Sequence, residues 1–237
     1  MGAPRRGGTG RRWLHPGSLP TRFAVNVLDL DVTKDCNLRC TYCFKGETVR
    51  RSGRSMPLQV ALTAIDWLIE ASQDVRALNV NLIGGEPLLA WPLIERLVPY
   101  AKRRAAQFGK RVQFGITTNL TLVDRRMVEF SRVWGIGWHC SIDGVPEVQN
   151  AQRPAADGGP SAPAVERGAR LILAVHPTAC ARVTVCPESA RRLFDNFLYL
   201  ERLGFVTFAF ALAEEQRWRA RERTSCVLHD SAPRSGG

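Results

Sequence analysis

Apolar and polar residues alternate from Phe23 to Val32 (FAVNVLDLDV), the period-two pattern of a half-buried strand. Behind Pro57 the period changes. Leu58, Ala61, Leu62, Ile65, Leu68 and Ile69 recur at helical spacing, with the proline where a helix can open. The same switch repeats down the chain. Leu78 to Ile83 reads as strand, and a helix begins at Pro92 with Leu93, Leu97, Val98 and Ala101 on one face. Arg111 to Thr117 reads as strand, Asp124 caps a helix running through Val133, and Trp138 to Ile142 is strand again. Asp143 to Pro163, with Gly158-Gly159-Pro160, reads as a long loop too polar to be packed throughout. Val165 to Val175 predicts a helix, Ala181 to Val185 a strand, and Arg191 to Leu203 a helix whose apolar face is Leu193, Phe194, Phe197, Leu198 and Leu200. Gly204 stops that helix, and Phe205 to Leu212 is the last strand.

Six strands alternating with five helices predict an α/β fold of repeated parallel βα units, a partial (βα)6 TIM-like barrel. In such barrels chemistry sits at the C-terminal ends of the strands. The distinctive motifs fall there. Cys36, Cys40 and Cys43 follow strand one, Gly84-Gly85-Glu86-Pro87 follows strand two, Thr117-Thr118-Asn119 follows strand three, and Ser141-Ile142-Asp143-Gly144 closes strand four.

The cysteines stand at the spacing C-x3-C-x2-C in TKDCNLRCTYCF, Thr33 to Phe44. Three thiolates in one short loop can converge on a metal centre, and a fourth protein ligand is missing. Four-cysteine iron-sulfur carriers and structural zinc sites close their coordination, whereas an open position admits a substrate. A zinc loop borrowing a distant histidine is the competing reading. Cys140, Cys180 and Cys186 fall in or beside strands, where a free cysteine behaves as a small buried hydrophobe.

The cysteine motif, with Tyr42 just before its last member, resembles the signature of radical S-adenosylmethionine (radical SAM) enzymes. CNLRCTYCF, GGEPLL, TTN, SIDG and the QRP loop, in that order from about Phe23 to Trp218, are most similar to the branch that matures sulfatases and ribosomally made peptides. The resemblance implies a 4Fe-4S cluster held by Cys36, Cys40 and Cys43 with one open iron, and S-adenosylmethionine as cofactor. It implies a reduced cluster that cleaves the cofactor to a 5′-deoxyadenosyl radical, which abstracts hydrogen from a peptide or protein substrate. The protein's part is orientation and a dry barrel interior, with a flavodoxin or ferredoxin as electron donor. By the same resemblance Gly84, Gly85 and the GGE motif meet the amino group of the cofactor's methionine part, and Ser141 and the Arg153 fork hold its carboxylate. Tyr42 lies on the adenine side. Asn119 near the ribose reads equally as an Asx turn, and Glu86 equally as an ion pair in the barrel mouth.

The net charge of +11 suggests nucleic acid until its distribution is read. Residues 1–22 hold five arginines and no acid, and residues 217–237 hold five more against Glu222 and Asp230. The charge therefore belongs mainly to the ends, expected as a basic disordered leader (1–22) and a disordered or truncated tail (219–237) around a core domain (23–218), with no nucleic-acid partner. Seven cysteines in this arrangement do not resemble a disulfide framework. No apolar run approaches the roughly 20 residues of a membrane span, and a cytoplasmic, membrane-free protein is the expectation. Members of the maturase branch continue past the sixth strand into a cysteine-rich auxiliary-cluster domain that this sequence does not contain. A natural short enzyme, a truncated product and a partner supplying the missing half are three explanations. The alternative function is a catalytically incomplete iron-sulfur or zinc protein acting through interactions.

Overall fold

Every second residue of the central strands is buried, and these are the apolar residues that the alternation picks out. The computed structural model describes residues 24–46, 53–214, 216 and 218. The expected leader and tail, and Phe23 at the start of strand one, lie outside the described residues. The strands are β1 (Val27–Asp31), β2 (Ala77–Ile83), β3 (Arg111–Thr118), β4 (Ile136–Ser141), β5 (Cys180–Val185) and β6 (Thr207–Leu212). The helices are α1 (Leu58–Ala71), α2 (Trp91–Gln107), α3 (Arg125–Trp134), α4 (Pro146–Gln152), α5 (Ala162–Leu173) and α6 (Leu193–Leu203). All five neighbouring strand pairs are parallel, in the order β1-β2-β3-β4-β5-β6. The ends of this sheet, β1 and β6, do not pair, so the barrel is open along one side.

Outward strand positions meet the helices. Leu78, Val80, Leu82, Val112, Phe114, Ile116, Ile136, Trp138, Ala181 and Val183 are all buried in one continuous core with Ile65, Leu68, Leu97, Val165 and Ile172 from the helices. Burying a side chain of this size stabilises by about 1.5–3 kcal/mol, so the helices are held mainly by this layer. Local devices set their ends. Asp124 accepts from the Met127 N–H at 2.7 Å at the start of α3, and Gly204 closes α6 at φ 115°.

Most inward positions are polar or small and partly or fully exposed, among them Asp29 and Asp31, Asn79 and Asn81, Gln113, Gly115 and Thr117, Gly137, His139 and Ser141, Arg182 and Thr184; Val27 and Ile83 are apolar exceptions at the β1 and β2 ends. A closed barrel of this type fills its interior with branched apolar side chains. Here the described lumen positions are mostly polar and accessible, and the lumen reads as a binding chamber.

The segment between Asp143 and Pro163 differs from expectation. It contains α4, and Gln149, Gln152 and Arg153 in it are buried. Polarity suggested a solvated loop. The Gln149 amide is instead satisfied internally, the Asp143 N–H donating to Gln149 Oε1 at 3.0 Å and Gln149 Nε2 donating to Ser161 Oγ at 3.3 Å.

Candidate active site at the barrel mouth

The cysteine loop leaves β1 and lies across the C-terminal rim. Its path is set by backbone hydrogen bonds to two other rim segments. Arg39 and Thr41 donate to the carbonyls of Pro154 and Gln152 at 2.8 and 2.9 Å. Gly85 and Glu86 donate to the carbonyls of Thr33 and Asp35 at 2.8 and 2.7 Å. Cys36 is buried, and Cys40 and Cys43 are partly exposed. N–H groups are aimed at the sulfurs: the Leu38 amide at Cys36 Sγ (3.4 Å), Asn119 Nδ2 at the same sulfur (3.8 Å), and Arg153 Nη1 at Cys40 Sγ (4.0 Å). Burial pushes the Cys36 thiol up and the Cys40 thiol up to about 11, so a metal binding there displaces protons. Among the described residues no three His, Cys, Asp or Glu side chains are grouped to hold a single metal ion. Ligands that each take a different iron of a cluster need no such common point.

The two glycines also admit a close approach within the chain itself. A Cβ on Gly84 would lie 2.5 Å from the Thr33 carbonyl oxygen, and one on Gly85 would collide with the Asp35 carbonyl. They let the β2 rim press against the cysteine loop itself. Gly85→Ala is expected to cost about 1–3 kcal/mol by overpacking and to lower iron uptake by displacing the loop. Gly137→Ala, whose Cβ would meet nothing nearer than 3.7 Å, is the control. Melting temperature and bound iron read both effects.

Glu86 forms no ion pair among the described residues. It is fully buried, with Oε1 accepting from the Leu88 N–H (3.0 Å) and Thr118 Oγ1 (2.8 Å), and Oε2 from the Asn119 N–H (2.6 Å). Burial pushes its carboxyl up to about 7 against these three donors. The residue brackets the β2 rim to the β3 rim and so fixes Asn119, whose amide donates to Asn37 Oδ1 at 2.9 Å and whose Oδ1 accepts from Thr121. Asn119 thus makes the Asx turn and also supports the cysteine loop. Glu86→Gln places an N–H₂ where an acceptor is needed, an expected loss of about 1–3 kcal/mol measurable by denaturant unfolding.

Asp143 is the hub of the opposite rim. Oδ2 accepts from Tyr42 Oη (2.6 Å), Gln152 Nε2 (2.8 Å) and Arg153 Nε (2.9 Å), and Oδ1 accepts from Arg153 Nη2 (3.1 Å) and the Thr184 N–H (2.9 Å). The Nε–Nη2 edge of the Arg153 guanidinium, expected to grip a cofactor carboxylate, is paired here with Asp143. Nη1, which faces Cys40, and the second Nη2 hydrogen are not used by that pair. The Arg153 guanidinium also stacks 5.2 Å from the Tyr42 ring centroid. Burial pushes the Tyr42 phenol up, so it stays a donor to Asp143. Ser141 ends β4 facing the lumen, partly exposed.

These groups fit the cluster and the cofactor. The Cys36 and Cys40 thiols face N–H donors, and the rim keeps one unmet acceptor, Gln152 Oε1, buried without a partner among the described residues. A ligand ammonium or hydroxyl at the mouth is the kind of donor that position lacks. Sequence reading assigned no role to Asp143, Gln152, Asn37 or Thr118. The only available signal was their adjacency to Ser141, Arg153, Cys36 and Asn119.

A family model described as the Radical SAM superfamily matches residues 30–188. An uncharacterised protein of Methanocaldococcus jannaschii is 28% identical over 190 residues, 80% of this chain and 63% of that protein. A GTP 3′,8-cyclase of Stenotrophomonas maltophilia is 32% identical over 148 residues, covering 62% of this chain and 42% of the cyclase. Among solved structures, anSMEcpe with bound AdoMet superposes with a TM-score of 0.76 at 22% identity, over 87% of this chain and 59% of that one. A further structure of it with AdoMet and the Kp18Cys peptide gives 0.75 at the same identity, over 86% of this chain and 58% of that one. The chain thus spans less than two thirds of the length of each of these proteins.

Proposed function

The chain belongs to the radical SAM superfamily, whose members bind a 4Fe-4S cluster and S-adenosylmethionine, and from that premise we propose that it acts on a peptide or protein by hydrogen-atom abstraction. When bound, cluster and cofactor supply one-electron cleavage of the sulfonium and the 5′-deoxyadenosyl radical that takes the hydrogen. Cys36, Cys40 and Cys43 hold the cluster in this reading, with Asn119, Arg153 and the Leu38 amide donating to their sulfurs. The backbone of Gly84 and Gly85, the Ser141 hydroxyl and the orphan Gln152 oxygen receive the cofactor. Tyr42 acts through Asp143 in holding the loop. Glu86 positions Asn119 and touches no ligand.

The observation that carries the proposal is a polar lumen open along one side, directly below the cysteine loop. An extended chain can enter such a chamber sideways, and the peptide-bound structure of anSMEcpe superposes on this fold. A second reading, a nucleotide substrate, is supported by the identity to the GTP 3′,8-cyclase.

The test offers reconstituted, reduced protein a synthetic peptide pool deuterated on carbon and, separately, GTP. The proposal expects deuterium in 5′-deoxyadenosine with the peptides. Stimulation by GTP alone favours the second reading, and stimulation by neither contradicts both.

A further inference from the structure

Toward the C-terminal rim the lumen wall holds a cation that no contact among the described residues accounts for. Arg182 lies in the middle of β5 on the inward face, is exposed, and has no hydrogen bond or ion pair from its guanidinium among the described residues. The inward acids are engaged, and the other inward cation, Arg111, stands at the opposite, N-terminal end of β3. Asp31 meets Lys45 Nζ at 2.7 Å, and Asp29 accepts from Asn81 Nδ2 at 2.7 Å, both on the far wall formed by β1 and β2.

The strand positions around Arg182 carry polar or small residues. In the β4–β5 register Ser141 stands opposite Arg182, and His139 stands opposite Cys180 one inward position below. In the β3–β4 register Gly115 stands opposite Gly137, so two adjacent inward positions carry no side chain. The His139 ring leans into that gap. Its Nε2 lies 3.3 Å from where a Cβ on Gly115 would stand, and Asn81 Oδ1 lies at the same 3.3 Å from the other side. Burial and the charge of Arg182 lower the His139 imidazole, which leaves Arg182 as the fixed positive charge of this wall.

We propose that Arg182, with His139 beside it, forms a carboxylate subsite in the lumen, one strand away from Ser141. A guanidinium presents paired N–H donors that match a carboxylate. An anion there is also set against the acidic β1 wall, so the chamber orients a ligand carrying a cationic or neutral end opposite its carboxylate. For the identity of the bound molecule the inference rests on the proposed function. The carboxylate belongs either to an acidic substrate residue or to the cofactor's own methionine part.

The experiment uses the reconstituted protein and ligand-detected NMR with glutarate as probe and glutaramide as its uncharged counterpart, with and without saturating S-adenosylmethionine. Glutarate is expected to bind and glutaramide is not. Arg182→Met is expected to weaken glutarate binding about ten-fold or more, with Arg182→Lys intermediate and the melting temperature of both unchanged. Binding that persists under saturating cofactor assigns the subsite to substrate. Competition by the cofactor, together with weaker cofactor binding in Arg182→Met, assigns it to the cofactor carboxylate. Equal glutarate binding in the wild type and Arg182→Met, or no glutarate binding at all, overturns the proposal. Because the readout is equilibrium binding, a protein that binds glutarate through Arg182 but makes no 5′-deoxyadenosine refutes the radical reading and leaves the subsite standing.

Discussion

Asp143→Ala is expected to lower the stability of the chain by about 3–5 kcal/mol, the effect of leaving a buried charge without its partner. The Arg153 side chain is only 9% exposed and that of Asp143 is fully buried, so removing the carboxylate strands the guanidinium where water barely reaches it. The same substitution frees Tyr42, Gln152 and the Thr184 N–H from their common acceptor. Against a typical total of about 5–15 kcal/mol, this is one of the most damaging single changes the fold offers. Denaturant unfolding measures it. Replacing both partners, as Asp143→Leu with Arg153→Met, should recover part of the loss, because an apolar pair leaves no unpaired charge. A loss below about 1 kcal/mol for Asp143→Ala would mean that the pair is solvated and is not the hub of the rim.

Cys40→Ala is expected to have the opposite profile, with little change in the stability of the metal-free chain and complete loss of the cluster. Cys40 is partly exposed and its sulfur takes only the long 4.0 Å contact from Arg153. With two thiolates left in the loop, the cluster has no third protein ligand to hold it. Iron and sulfide content and the visible absorption of the anaerobically reconstituted protein read this directly. Retention of a full complement of iron would remove the cysteine loop from the account.

The two substitutions mark how much of this molecule is legible in its sequence. The cysteine loop is, because its ligands are local: three thiols within eight residues, behind a strand whose alternation is plain. The barrel is as well, since a buried outer layer imposes period two on each strand and a helical period on each cover. Boundaries shift by a few residues. The last strand begins at Thr207 rather than Phe205, because Phe205 packs into the core without entering the ladder, and α6 begins at Leu193 because Arg191 and Arg192 lie in a short 3₁₀ turn before it.

The Asp143 hub is not legible, since its donors come from Tyr42, 101 residues away in sequence, from Thr184, 41 away, and from α4. In sequence it is an aspartate before a glycine at a strand end, which any turn would explain. Gly84 and Gly85 were legible as a close approach but not as to what, because Thr33 and Asp35 reach them only through β1–β2 pairing. The α4 segment, PEVQNAQ, carries one large apolar residue and buries two glutamines, so no hydrophobic period announces it. The open, polar lumen follows from the inward half of each strand pattern, where Asn81, His139 and Arg182 stand in place of branched apolar residues.

The central claim is that the barrel mouth supports reductive cleavage of S-adenosylmethionine. The most direct measurement is 5′-deoxyadenosine formed by the anaerobically reconstituted, reduced protein, beside Cys40→Ala treated identically. The account predicts accumulation with the native chain and none above background with the variant. A native chain that holds a full cluster, binds the cofactor and still yields no 5′-deoxyadenosine would contradict it.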